Sequence, residues 1–170
     1  MDITQLILDD HHEQRRLFAI LEQIDPSDTD SLTAVWKRLS TFLEVHAETE
    51  EKIFYPALLR IGRKAGDGEG VDEETIDAIK DHNEIRDAIA AVAGTAVGSA
   101  GWIKAITAVN KANSEHMGEE EREGLTDFRR QASLELRHTL AVSFAAYETR
   151  HVTGVAPVDK DPETWVKNQG

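Results

Sequence analysis

Residues 46–56 read HAETEEKIFYP, with an imidazole and a carboxylate four positions apart at His46 and Glu50. On an α-helix that spacing puts both side chains on one face, about one turn apart. The pair recurs in HMGEEERE as His116 and Glu120, and single histidines stand before and between the two pairs at His11 and His82. The steps from His11 to His46 to His82 to His116 are 35, 36 and 34 residues, each close to one long helix plus one connection. Four antiparallel helices would each bring one histidine to a similar height. The expected fold is all-α: an up-down-up-down four-helix bundle with an additional C-terminal helix and an irregular tail.

A chain of 170 residues is long enough for one domain with a real core. Apolar residues make up 40% and charged residues 30%, with four prolines, which fits a helical domain better than a disordered chain. The apolar runs are too short to span a bilayer. The opening MDITQLILDDHH puts acidic residues where a signal peptide would carry basic ones, so a cytoplasmic location without membrane partners is expected. Nineteen Lys and Arg against thirty-two Asp and Glu, a net charge of -13, argue against nucleic acid as a partner. With no cysteine, disulfides, thiolate clusters and cysteine nucleophiles are excluded, and any metal must be held by nitrogen and oxygen.

Apolar periodicity and capping residues divide the chain into five helices. The first spans Asp2 to Ile24, with Asp2 and Gln5 in a capping-box-like arrangement. The second spans Ser31 to Ile61, with Pro56 placed to kink it near Tyr55; a straight helix would turn Tyr55 away from Glu50. The stretch from Gly62 to Asp72, GRKAGDGEGVD, reads as a flexible connection, and Asp72 caps a third helix from Glu73 to Ala93. A fourth helix starts near Gly101 with Ser99 as its cap. A fifth, from Thr126 to Arg150, would cover one groove of the bundle. The helical unit is therefore placed at 1–151, and 152–170 is read as a tail pinned by Trp165.

Facing directions narrow the candidates. The first helix interrupts its apolar stripe with Asp10 and Gln14, with His11 at the stripe's edge and His12 turned toward the polar side. A core helix that does this needs polar partners inside. His82 and Arg86 share the inner face of the third helix. On the fourth, His116 and Glu120 point inward, and Glu121 lies about 100° round from Glu120. His138 and His151 fall outside the layer. A lone histidine or a lone His-x3-Glu pair is ordinarily a surface or hydrogen-bonded residue. Four inward imidazoles with two carboxylates are a different matter, because buried carboxylates cost several kcal/mol unless compensated. Metal compensates them: nitrogen and oxygen donors suit iron, manganese or zinc, and His11, His46, Glu50, His82, His116 and Glu120 suffice to hold two ions with positions left open.

The segments DDHHEQRRLF, HAETEEKIFYP, DHNEIRDAI and HMGEEERE resemble the hemerythrin-like (HHE cation-binding) family, most closely its actinobacterial, including mycobacterial, members. The resemblance covers about residues 1 to 150. It implies two non-haem iron ions joined by an oxo or hydroxo bridge and two carboxylates, with His11, His46, His82 and His116 as terminal ligands and Glu50 and Glu120 as bridges. Two departures stand out. Oxygen-carrying relatives repeat histidine four residues on in the third helix, where this chain has Arg86. They also place an aspartate five residues after the fourth-helix histidine, where this chain has Glu121. Tyr55 is a candidate further ligand or donor, and Asp10 and Arg86 are candidates to orient ligands or to pair with each other.

The function this implies is reaction of a diiron centre with small ligands: hydrogen peroxide in a catalase-like reaction, or nitric oxide detoxification. The alternative is a non-catalytic module that binds or senses oxygen or iron. The expected partner is in either case a small molecule (peroxide, nitric oxide or oxygen); the residues give no expectation of oligomeric state or catalytic residues.

Overall fold

The computed structural model describes residues 1–66 and 68–169. Its elements are α1 (Ile3–Gln23), α2 (Thr29–Thr49), a π-helical turn (Glu50–Phe54), α3 (Tyr55–Ala65), α4 (Gly68–Val92), α5 (Ala100–Arg122), α6 (Gly124–Gln131), α7 (Leu134–Arg150) and α8 (Pro162–Lys167). The described residues contain no helix long and apolar enough to cross a membrane.

Buried side chains show how the segments run. Along α1, Ile3 and Ile7 belong to one apolar cluster, His11 and Gln14 follow, and Leu17, Phe18 and Leu21 belong to a second cluster. α2 and the π-helical turn run the other way, from Leu32, Leu39 and Leu43 through His46 and Glu50 to Phe54. α4 passes from Val71 and Ile79 through His82 and Arg86 to Val92, and α5 returns from Trp102, Ile106 and Val109 through Asn113, His116 and Glu120. The result is an up-down-up-down bundle in which two apolar clusters enclose one polar layer. Each fully buried aliphatic or aromatic side chain favours folding by about 1.5–3 kcal/mol, so two apolar blocks can carry a layer that by itself opposes folding.

Helix starts follow local hydrogen-bonding chemistry. Ser99 Oγ accepts from Trp102 N–H (3.1 Å) and Asp28 Oδ1 from Ser31 N–H (3.1 Å), each satisfying a donor that the first turn cannot pair. Asp2 caps α1 through Thr4 N–H (3.0 Å), but Gln5 does not complete a capping box: its amide donates onward to Asp9 (3.0 Å).

Three expectations need correction. The second helix is not one kinked α-helix; it passes through the π-helical turn, in which Tyr55 N–H reaches Glu50 O. Gly62 to Asp72 is not a loop. α3 runs to Ala65 and stops at Gly66, whose φ of 93° is left-handed, and α4 has begun by Gly68; Asp67 lies outside the described residues. Gly62 instead serves packing, since a Cβ there would lie 2.8 Å from Val71 Cβ, and Asp72 pairs with Arg63 (2.7 Å) rather than capping. The fifth helix is broken at Ala132, and Ser133 caps α7 through Leu136 N–H (3.2 Å). α7 packs against α1, α2 and the π turn, burying Ala141 and Phe144. In the tail, α8 rests on α4 with Val166 fully buried, while Trp165 is only partly so.

Candidate metal centre

The four histidines of the polar layer lie on α1, α2, α4 and α5, and all are at most 4% exposed. Their Nε2 atoms converge. His46 Nε2 lies 3.0 Å from Glu50 Oε1, and His82 Nε2 lies 3.3 Å from Glu50 Oε2, so one carboxylate spans two helices with one oxygen for each. His82 and His116 meet Nε2 to Nε2 at 3.1 Å, and His11 Nε2 lies 3.3 Å from Glu120 Oε2. Three groups have donor atoms within 4.8 Å of one another: His11 with His46 and Glu50, Glu50 with His82 and His116, and, on the outer side of His46, Asp10 with His46 and Glu148. Glu50 is common to the first two, which are fully buried.

These contacts are close without being satisfied. His11 Nε2, His46 Nε2, both oxygens of Glu50, both oxygens of Glu120 and the Tyr55 hydroxyl are buried with no hydrogen-bond partner. Buried polar groups of a folded protein are normally paired. A cluster of orphaned nitrogen and oxygen donors aimed at common points is what a metal site requires, and imidazole with carboxylate is the donor set of iron, manganese or zinc. The residues present therefore fit bound metal cations.

The outer nitrogens strengthen that fit. His11 Nδ1 lies 2.9 Å from Glu121 Oε1, His82 Nδ1 2.9 Å from Glu51 Oε1, His46 Nδ1 3.4 Å from Asp10 Oδ2, and His116 Nδ1 3.4 Å from Asp81 Oδ2. Glu148, from α7, adds a second carboxylate 3.9 Å from His46 Nδ1. A carboxylate behind Nδ1 favours the tautomer that leaves the Nε2 lone pair facing inward, and raises the imidazole's basicity as a ligand. Asp10, Glu50, Glu51, Asp81, Glu120, Glu121 and Glu148 are seven carboxylates, and the cations touching them among the described residues are Arg15, Arg86 and Lys160. Arg86 and Lys160 are also shared with Glu44 and Glu48, so the layer keeps a surplus of negative charge that bound cations or protons would offset.

Without metal, protons take that place. Burial opposes charging of His46, but Glu50, Asp10 and Glu148 outweigh it and hold its pKa well above the ordinary value. Burial likewise opposes charging of His82, and Glu50 and Glu51 outweigh it, raising the pKa to about 9. His11 is raised against its burial by Glu120 and Glu121. The carboxylates move the opposite way: Glu51 falls to about 2, with His82, Arg86 and Lys160 overcoming its burial, and Glu121 falls to about 2 through His11 and Arg15.

The π-helical turn explains what sequence periodicity did not. Widening the helix by one residue brings Glu50 and Glu51, and again Phe54 and Tyr55, into the interior together; all four are at most 2% exposed. Tyr55 is thereby turned inward, its ring tilted against His82 at 5.7 Å between centroids. Burial, then the nearby carboxylates of Glu120, Glu50 and Glu51, keep its phenol well above the usual pKa. Glu51, missed by an α-helical reading, had one signal in the sequence: Pro56, which has no N–H to continue the α ladder.

Arg86 does not pair with Asp10, contrary to one expectation. It bonds Glu51 (2.9 Å) and approaches Glu44 (3.6 Å), while Asp10 turns to His46. His12 and His138 are exposed, and His151 stacks on Tyr147 at the end of α7. Asp81, Glu148 and Lys160 complete the layer from residues that helical periodicity did not single out.

A cavity of about 50 Å³ opens between α3, α4 and α5. Its lining includes Tyr55, Thr75, His116 and Glu120, all buried, and the exposed Asp77, Glu119 and Glu123. The opening is acidic and has room for water-sized molecules.

Comparison with known proteins agrees with this geometry. No curated protein and no solved structure gives a significant match. Residues 2–126, from α1 into α6, match the family model described as the hemerythrin HHE cation binding domain, and this stretch contains all four converging histidines with Glu50 and Glu120. The chain belongs to the hemerythrin HHE cation-binding family.

Proposed function

We propose that the chain is a cytoplasmic non-haem diiron protein that consumes a small neutral ligand, with hydrogen peroxide as the first candidate and nitric oxide as the second. The observation that carries this reading is Glu50, whose two unpartnered oxygens are shared between two buried histidine groups. His11, His46 and Glu50 would hold one ion, and Glu50, His82 and His116 the other. Glu120 would join from the cavity side, as a second carboxylate with both oxygens free. Iron bound there would supply Lewis acidity and redox change.

The chain's own residues supply the rest. The cavity's size admits a diatomic molecule or hydrogen peroxide, and its acidic opening disfavours anions. Tyr55 keeps its proton and places its buried hydroxyl beside Glu120 in the cavity lining, where it can donate to that carboxylate or to an incoming oxygen. The two apolar clusters above and below the layer exclude bulk water.

Iron-loaded protein should destroy hydrogen peroxide, with oxygen release, and should spare cumene hydroperoxide, which is too large for the cavity. If peroxide fails, nitric oxide consumption at an electrode tests the second candidate. Ligand-dependent absorption changes without turnover of either would replace catalysis by binding or sensing.

A further inference from the structure

The C-terminal segment lies outside the family match, yet it returns to the metal layer. After α7 the chain crosses back over α4, and Lys160 is held there by two hydrogen bonds to one side chain: Lys160 N–H donates to Asn83 Oδ1 (3.1 Å), and Asn83 Nδ2 donates to Lys160 O (2.7 Å). Asn83 directly follows His82. Downstream, α8 anchors the segment by burying Val166, whose carbonyl accepts from Arg63 (3.3 Å).

So fixed, Lys160 sends its side chain inward. Its Nζ pairs with Glu51 Oε2, and with Glu48 Oε2 at 3.1 Å. The other oxygen of Glu51 faces His82 Nδ1 at 2.9 Å and is shared with Arg86 at 2.9 Å. Among the carboxylates behind the four histidines, Glu51 has two cationic partners among the described residues and Glu121 has one, whereas Asp10 and Glu148 face each other and His46, and Asp81 faces His116.

We infer that Lys160 is a positioning residue for the His82 half of the centre, acting through Glu51. By occupying Oε2 it orients Oε1 toward His82 Nδ1 and so fixes the direction of the imidazole, and it places a positive charge beside this half of the centre. The two metal positions are then inequivalent. The Glu50, His82 and His116 position is tuned by the tail, and the His11, His46 and Glu50 position is not. Carboxylates behind ligating histidines affect metal affinity by about 10–100-fold, so a residue that sets one of them has a measurable lever.

The inference rests on the proposed metal centre, and the experiment separates the two. Full-length wild type, Lys160→Met, Lys160→Arg and Asn83→Ala are titrated with iron(II), and reduction potentials are measured on the loaded proteins. Lys160→Met should weaken one of two binding steps about tenfold, leave the other unchanged, and lower the potential of the affected iron, because a positive charge has gone. Lys160→Arg should restore both values. Asn83→Ala, which keeps the charge but releases the clamp, should weaken the same step, and serves if Lys160→Met does not fold. Unchanged affinities and potentials in Lys160→Met, even with a lower melting temperature, would reduce Lys160 to a structural strap. Equal weakening of both steps would likewise overturn the assignment to His82. Wild type that binds no iron would instead refute the centre itself.

Discussion

Replacing Glu50 with glutamine should remove metal-linked stabilisation from both halves of the centre while keeping the fold. Glu50 is the only carboxylate in each of the two fully buried ligand groups, with His46 Nε2 at 3.0 Å from one oxygen and His82 Nε2 at 3.3 Å from the other. An ion present at a hundred times its dissociation constant stabilises the native state by about 2.7 kcal/mol, so two ions give about 5 kcal/mol. For a chain of 170 residues each kcal/mol moves the melting temperature by about 2–4 °C, and wild type should rise by about 10–20 °C with iron(II) under anaerobic conditions. In Glu50→Gln the rise should fall below about 5 °C. Glu120→Gln is the control: Glu120 approaches one histidine nitrogen, that of His11, so at least half of the rise should survive. Each variant is compared with its own metal-free form by calorimetry, which cancels the effect of the substitution on the empty bundle. A full rise in Glu50→Gln, or a larger loss in Glu120→Gln, would refute the shared role of Glu50.

Metal uptake at pH 7 should release protons, because His82 titrates at about 9 and His46 and His11 are also raised; release measured in weak buffer should shrink at pH 9.5, and equal release at both pH values would count against the assignment. The metal-free protein should lose stability on acidification in the window belonging to Glu51, whose folded pKa of about 2 lies below its ordinary 4.5. Its contribution, up to about 3 kcal/mol, is complete above pH 4.5 and disappears as the pH falls toward 2, so denaturant titrations of Glu51→Gln should show a flatter acid limb there. Gly62→Ala should destabilise by about 1–3 kcal/mol, since the new Cβ would sit 2.8 Å from Val71 at the crossing of α3 and α4; an unchanged denaturation midpoint would mean the crossing adjusts freely.

What could be read from the residues alone was whatever obeys the α-helical period. His46 with Glu50 and His116 with Glu120 are i, i+4 pairs, and the regular spacing of the four histidines is a property of antiparallel helices of similar length. Glu51 and Tyr55 were not legible as inward residues because the π-helical turn changes the period locally, and Pro56 hints at a disturbance without giving its form. The glycines near Gly62 misled for a different reason. One of them permits close helix packing, another stops α3, and the residue type does not distinguish the two uses. Asp81, Glu148 and Lys160 reach the layer only through packing between helices and the return of the tail, which no local pattern encodes.

On the proposed reading, this bundle holds two metal ions that share Glu50. Elemental analysis of desalted, iron-reconstituted protein, with anomalous diffraction at the iron edge, tests it directly. Two irons per chain are expected, one among His11, His46 and Glu50 and one among Glu50, His82 and His116. A well-folded protein that retains no iron, or that holds it away from these side chains, would contradict it.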